Sequence, residues 1–142
     1  MIGFYNDDIE MPRIDVRLIK KWIGAVAESY GRKVGNLNYC FCSDKKILEV
    51  NMQFLGHDYY TDIITFDYSD TRTVNGDMYI SLDTVRTNSV KFKTEYEREL
   101  KRVIIHGVLH LCGIDDKGHG MRAVMESAEN KALDLLDSKT VI

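Results

Sequence analysis

Two histidines four residues apart, His106 and His110, sit in the stretch HGVLHLCGIDD spanning residues 106–116. Residues at i and i+4 of a helix lie one turn apart on one face, so the two imidazoles can converge on a single metal ion. The continuation sharpens this reading. The stretch runs H-x-x-x-H-x-x-G-x-x-D, and Asp116 follows the first histidine by ten residues. This is the spacing of the zincin extension, in which a glycine turns the chain so that the last residue swings back to the metal. Gly113 supplies that turn and Asp116 is the residue brought round. His119, between Gly118 and Gly120, competes with Asp116 for the third place. Cys112 follows the helix register away from the histidine face and reads as a small buried apolar residue.

Three protein ligands leave a coordination position for water, the pattern of a catalytic rather than a structural zinc. A hard oxygen donor such as Asp116 loosens the preference for zinc over other divalent ions. The metalloprotease motif places its general base, a glutamate, directly after the first histidine. Here that position is Gly107, so a peptidase would lack its proton shuttle. Glycine inside a helix costs about 1 kcal/mol relative to alanine, and Gly107 is therefore expected to serve close packing or substrate approach.

The elements that must position these residues follow from periodicity. Tyr96 and the residues after it open the strongest helix in the chain. Thr94 to Glu97 has the form of a capping box, Leu100, Val103, Ile104, Val108 and Leu111 form the apolar stripe, and Gly113 is placed to end it. A last helix over about 120–137 carries Val124, Met125, Ala128, Ala132, Leu133 and Leu136. Upstream, Ile19, Trp22, Ile23, Val26 and Tyr30 predict a helix over about 15–30, stopped by Gly31. Ser43 caps a further helix with Ile47, Val50 and Phe54 on its inner face. Residues 82–92 carry a weaker helical pattern. Strands are predicted at 2–5, 36–42, 61–68 and 77–81. The expectation is an α+β fold: a small mixed sheet of about four strands, about five helices and a zincin-like metal helix, forming one domain over residues 1–142.

Composition narrows the class. The chain is 44% hydrophobic and 29% charged, with a net charge of −3. That balance argues against a protein that coats nucleic acid non-specifically, which relies on many Lys/Arg–phosphate contacts. Between Arg86 and Arg102, however, six basic residues face three glutamates. They make either a solvated helical face or a set of phosphate contacts. The start MIGFYNDDIE has no basic region or long apolar run, so no secretory signal and no membrane span are expected. Three cysteines without a signal suggest reduced thiols and a cytoplasmic location.

HGVLHLCG, preceded by EREL (97–100) and GDMYIS (76–81), resembles the YbeY family of bacterial endoribonucleases and ribosomal RNA maturation factors. NMQFLGHDYYTDIITF (51–66) is similar through Asn51, the Gly56–Asp58 turn and Thr61-Asp62. The resemblance implies a mixed sheet with helices around a metal cleft. It also implies a single-strand-specific metallo-endoribonuclease, usually with zinc, one ion per chain. Ribosomal RNA and the small ribosomal subunit would be its partners, in 3′-end maturation and ribosome quality control in the cytoplasm. By position the family's three metal ligands fall on His106, His110 and Asp116. Two departures stand out. The third ligand is usually histidine, where this chain has Asp115-Asp116. The arginine of L-N-x-x-Y-R is replaced by Leu55, which removes a phosphate or transition-state partner. Lys91, Lys93 and Arg98 are the cations available to compensate, and Tyr59, Tyr60 and Tyr96 are the aromatics on which unpaired bases could stack. Asp62 and Asp77 match family positions, each open to a structural or a catalytic role. Besides the endoribonuclease, the sequence admits a non-catalytic metal-containing assembly factor, and a metallopeptidase against which Gly107 counts.

Overall fold

The computed structural model describes residues 1–57, 61–118 and 120–138. Four strands form one mixed sheet in the order β1 (Ile2–Asn6), β2 (Lys33–Cys42), β4 (Thr73–Ser81), β3 (Ile63–Asp67). β1 and β4 flank β2 in parallel, and β3 closes the edge antiparallel to β4. Five α-helices accompany the sheet: α1 (Val16–Ser29), α2 (Asp44–Val50), α3 (Leu82–Lys91), α4 (Tyr96–Leu111) and α5 (Met121–Asp137). The expected α+β class and element order are those observed. None of the described helices is long and apolar enough to cross a membrane.

Alternation in β2 works as predicted. Leu37, Tyr39 and Phe41 are fully buried on the face that packs against α1, α4 and α5, while Cys42 joins Ile47, Val50 and Ile64 in a smaller cluster beneath α2. Two hydrogen bonds from buried aromatics tie the layers together. The Tyr39 hydroxyl donates to the Ile104 carbonyl at 2.9 Å, and the Trp22 indole donates to the Ala132 carbonyl at 2.7 Å. A buried polar atom left unpaired would cost about 1–3 kcal/mol, so these bonds fix where α4 sits on the sheet and where α5 sits on α1.

α4 is buried beyond its predicted stripe: Ile105 and Leu109 are also inaccessible to solvent. It lies against β3 and β4 on one side and α1, α3 and α5 on others. Gly107 makes that approach possible, since a Cβ there would stand 2.6 Å from Met78 Sδ and 3.1 Å from Ile63 Cδ1. Close packing is therefore the reason for this glycine.

Local expectations differ in places: β4 begins at Thr73 rather than Asp77, and Tyr30 is 40% exposed at the end of α1. The Thr94–Glu97 box does not form; Glu95 occupies the cap of α4 without a side-chain hydrogen bond. Val124 faces outward, 48% exposed. Phe54 leaves the inner face of its helix because α2 widens after Val50 into a π-helical turn, Asn51–Leu55, closed by Gly56 at φ +66°. One extra residue per turn rotates Phe54 out, where it is 59% exposed and packs edge-on against Phe66.

Candidate metal centre

The end of α4 is a Schellman turn. Gly113, at φ +96°, donates to the His110 carbonyl at 3.0 Å, and Ile114 donates to the Leu109 carbonyl at 3.1 Å. This reversal is the one that the sequence asked of Gly113, and it returns Asp116 to the helix face carrying His106. The Nε2 of His106 stands 3.3 Å from an Asp116 carboxylate oxygen.

Nδ1, the other ring nitrogen of His106, lies 2.7 Å from Oε2 of Glu129 on α5. Glu129 also accepts from Arg102 at 3.0 Å, and Arg102 reaches Asn130 at 3.0 Å and Glu99 at 4.0 Å. Glu99 and Glu129 are both buried. His106, Asp116, Glu129, Arg102 and Glu99, with Asp62, line a cleft of ≈ 530 Å³.

The electrostatics of the cleft favour a cation. Burial disfavours a charged His106 ring, but the hydrogen bond and charge of Glu129, joined by Asp62 and Asp116, outweigh it and hold the ring above its ordinary value. Burial pushes the Asp62 carboxyl up, partly countered by His106 and by backbone N–H groups. Burial likewise raises Glu99, with Arg102 opposing. Three carboxylates thus surround one imidazole.

One distance, between His106 and Asp116, is of the size that two ligands of a single ion require. Two donors each about 2.0–2.2 Å from a tetrahedral ion stand roughly 3.3–3.5 Å apart, matching the separation of His106 Nε2 from Asp116. A carboxylate on the far nitrogen of a ligating histidine is the usual support that fixes its tautomer and orientation. His110, half-buried one turn further along α4, is not among the residues lining the cleft. Among the described residues no three His, Cys, Asp or Glu side chains converge on one point. The structure therefore unites His106 with Asp116 and leaves His110 adjacent, and His119 lies outside the described residues.

The whole-chain comparisons agree with the motif. The family model for Endoribonuclease YbeY matches residues 3–137. The chain belongs to the YbeY family. The Endoribonuclease YbeY of Parabacteroides distasonis is 59% identical over 135 residues, 95% of each chain, and that of Phocaeicola vulgatus is 58% identical over 96% of this chain and 99% of its own. The solution structure of TM1509 from Thermotoga maritima superimposes with a TM-score of 0.65 at 26% identity, covering 99% of this chain and 95% of that one.

Within this YbeY-family cleft the other expected residues sort differently. Asp62 lines it, whereas Asp77 accepts from Asn38 at 3.1 Å in a cross-strand pair on the sheet, a structural role. Leu55 is 45% exposed on the π-helical turn and is not among the lining residues. Arg98 is held by Asp137 at 2.8 Å, and Tyr96 is half-buried beneath the Arg86 guanidinium. Tyr59, Tyr60 and Asp58 lie outside the described residues. The sequence reading missed Glu129 and Glu99. It counted Arg102 among the possible phosphate contacts, whereas the structure pairs it with Glu129. Its available signal was a charge on an apolar stripe, since Glu129 falls midway between Met125 and Leu133 at four-residue steps.

Proposed function

We propose that this protein is a single-strand-specific metallo-endoribonuclease acting in 3′-end maturation of small-subunit ribosomal RNA and in ribosome quality control in the cytoplasm. The endoribonuclease part rests on its YbeY relatives. The observation that carries the metal is the pair His106 Nε2 and Asp116 at 3.3 Å, backed by Glu129 on Nδ1.

In this reading His106, His110 and Asp116 hold one zinc ion per chain, with other divalent ions accepted because one donor is a carboxylate oxygen. His110 would be the third ligand by its place one turn along α4 from His106. When bound, the ion lowers the pKa of water toward about 7 and stabilises charge on a phosphoryl oxygen. The protein's own part is placement. Glu129 holds the His106 ring in one orientation, and by accepting from Nδ1–H it would leave Nε2 as the nitrogen offered to an ion. Arg102 balances the charge of Glu129 and is thereby spent internally. Gly107 carries no carboxylate, so peptide hydrolysis has no base beside the first histidine.

The test is metal-replete protein incubated with single-stranded RNA, duplex RNA and casein, each with and without chelator. Chelator-sensitive loss of the single strand alone supports the proposal. Cleavage of casein would favour a metallopeptidase. Chelator-sensitive RNA binding without cleavage would favour a non-catalytic assembly factor.

A further inference from the structure

The corner between α3 and α4 presents a large aromatic ring to the cleft. Phe92 lines the same cavity as His106 and Asp116 yet is 55% exposed. A phenylalanine that only filled the core would be covered, and one exposed inside a charged cleft is placed to meet something flat and apolar. Its backbone is fixed. Phe92 N–H donates to the Asn88 carbonyl at 2.9 Å, Lys93 N–H to Val90 at 3.2 Å and Thr94 N–H to Ser89 at 2.9 Å. Lys93 takes the left-handed conformation at φ +54°, which lysine adopts at a cost and which ends α3 abruptly at Phe92.

The cleft floor is acidic, with Asp62, Glu99, Asp116, Glu126 and Glu129 among its lining, and the cations near the ring lie at its rim. Asn88, one turn earlier on α3, also lines the cleft and offers both an amide donor and an amide acceptor. The Lys91 ammonium lies 5.6 Å from the ring centroid, and Arg122 on the first turn of α5 lines the cavity too. An exposed aromatic ring with positive charge nearby is the usual equipment for holding single-stranded nucleic acid.

We infer that Phe92 is a nucleobase-stacking platform beside the metal centre, with Asn88 hydrogen-bonding the base edge and Lys91 and Arg122 meeting the adjoining phosphates. The inference rests on the endoribonuclease reading for its ligand class and deepens it. It gives a physical source of strand selectivity, because a base inside a duplex has both faces stacked and its edge paired. It also replaces Tyr96 as the stacking residue.

Phe92→Trp turns the platform into its own probe. The sole native tryptophan, Trp22, is fully buried and contributes a constant background. The variant is titrated with an uncleavable 2′-O-methyl oligouridine, with the matching duplex, and with an abasic strand of equal length. Saturable quenching by the oligouridine, absent with the other two, is expected. Phe92→Ala should weaken binding of the same single strand by roughly five- to a hundredfold with an unchanged Tm, since the ring is exposed. Phe92→Leu should lose nearly as much, which separates stacking from mere apolar contact. Equal quenching by the abasic strand, or unchanged affinity in Phe92→Ala, overturns the inference. If wild type cleaves RNA while Phe92→Ala binds normally, the stacking site fails and the endoribonuclease reading stands. If Phe92→Trp is quenched but wild type cleaves nothing, the endoribonuclease reading fails alone.

Discussion

Glu129 Oε2 and His106 Nδ1 stand 2.7 Å apart, linking the middle of α5 to the face of α4 that carries the candidate metal centre. The carboxylate and Asp116 thus hold opposite nitrogens of one ring. Because Glu129 contacts the imidazole on the side away from Asp116, its expected effect is on metal affinity. Glu129→Ala should weaken zinc binding by about 10–100-fold, measured by competition with a chelator of known affinity. Glu129→Gln, which still accepts a hydrogen bond, should recover part of that loss. Unchanged affinity in both variants would remove Glu129 from the site.

Gly107 is a packing position, so side chains there should cost stability in proportion to size. Gly107→Ala gains about 1 kcal/mol of helix propensity but must displace the buried Met78 thioether, an overpacking cost of about 1–3 kcal/mol. The net expectation is a loss of about 1 kcal/mol by denaturant melts. Gly107→Leu, which must push into Met78 and Ile63 together, should lose more than about 3 kcal/mol. A neutral Gly107→Leu would show that α4 does not approach the sheet as described.

The thiol of Cys42 is fully buried, and burial, with Cys40 and Asp8 adding to it, pushes its pKa up to about 12. The thiolate is the reactive form, so at pH 8 alkylation should be roughly a thousandfold slower than for an exposed thiol. Its rate should rise about tenfold per pH unit between pH 7 and 9, since the group stays far below half-ionised throughout. Peptide mapping after iodoacetamide treatment of the native protein checks this. Fast labelling of Cys42 would contradict the packing beneath α2.

Leu55, at the position where the family resemblance implies arginine, is exposed on the π-helical turn. Leu55→Arg should raise turnover on single-stranded RNA a few-fold without altering Tm. It should also steepen the dependence of log affinity on log salt by about 0.7, the contribution of one added phosphate contact to a single strand. An unchanged salt slope would mean that the RNA does not pass this turn.

Much of this architecture was legible in the residues, and the exceptions have physical causes. The α4 helix, its glycine stop and the alternation of β2 are set by local periodicity and by one backbone conformation, which sequence expresses directly. His106 and Asp116 could be paired because Gly113 dictates how the chain reverses between them. The rotation of Phe54 was not legible, since a π-helical turn changes the residue count per turn without a composition signal. Glu129 was missed because it reaches His106 from α5, 23 residues further on. Arg102 lies on α4 one turn before His106 and showed its role only through its bond to Glu129. Only the tertiary docking of α5 on α4 brings them together. Phe92 read as the end of a weak helix because exposure inside a cleft is a property of the assembled fold.

The central claim is that a divalent ion held by His106 and Asp116 serves RNA cleavage. The most direct measurement is the rate of single-stranded RNA cleavage against buffered free zinc, for wild type and for His106→Ala purified identically. The account predicts a wild-type rate that saturates as one ion binds per chain, and no zinc-dependent cleavage in His106→Ala at the same concentrations. Equal rates in the two proteins, or a wild-type rate indifferent to free zinc and to chelator, would contradict it.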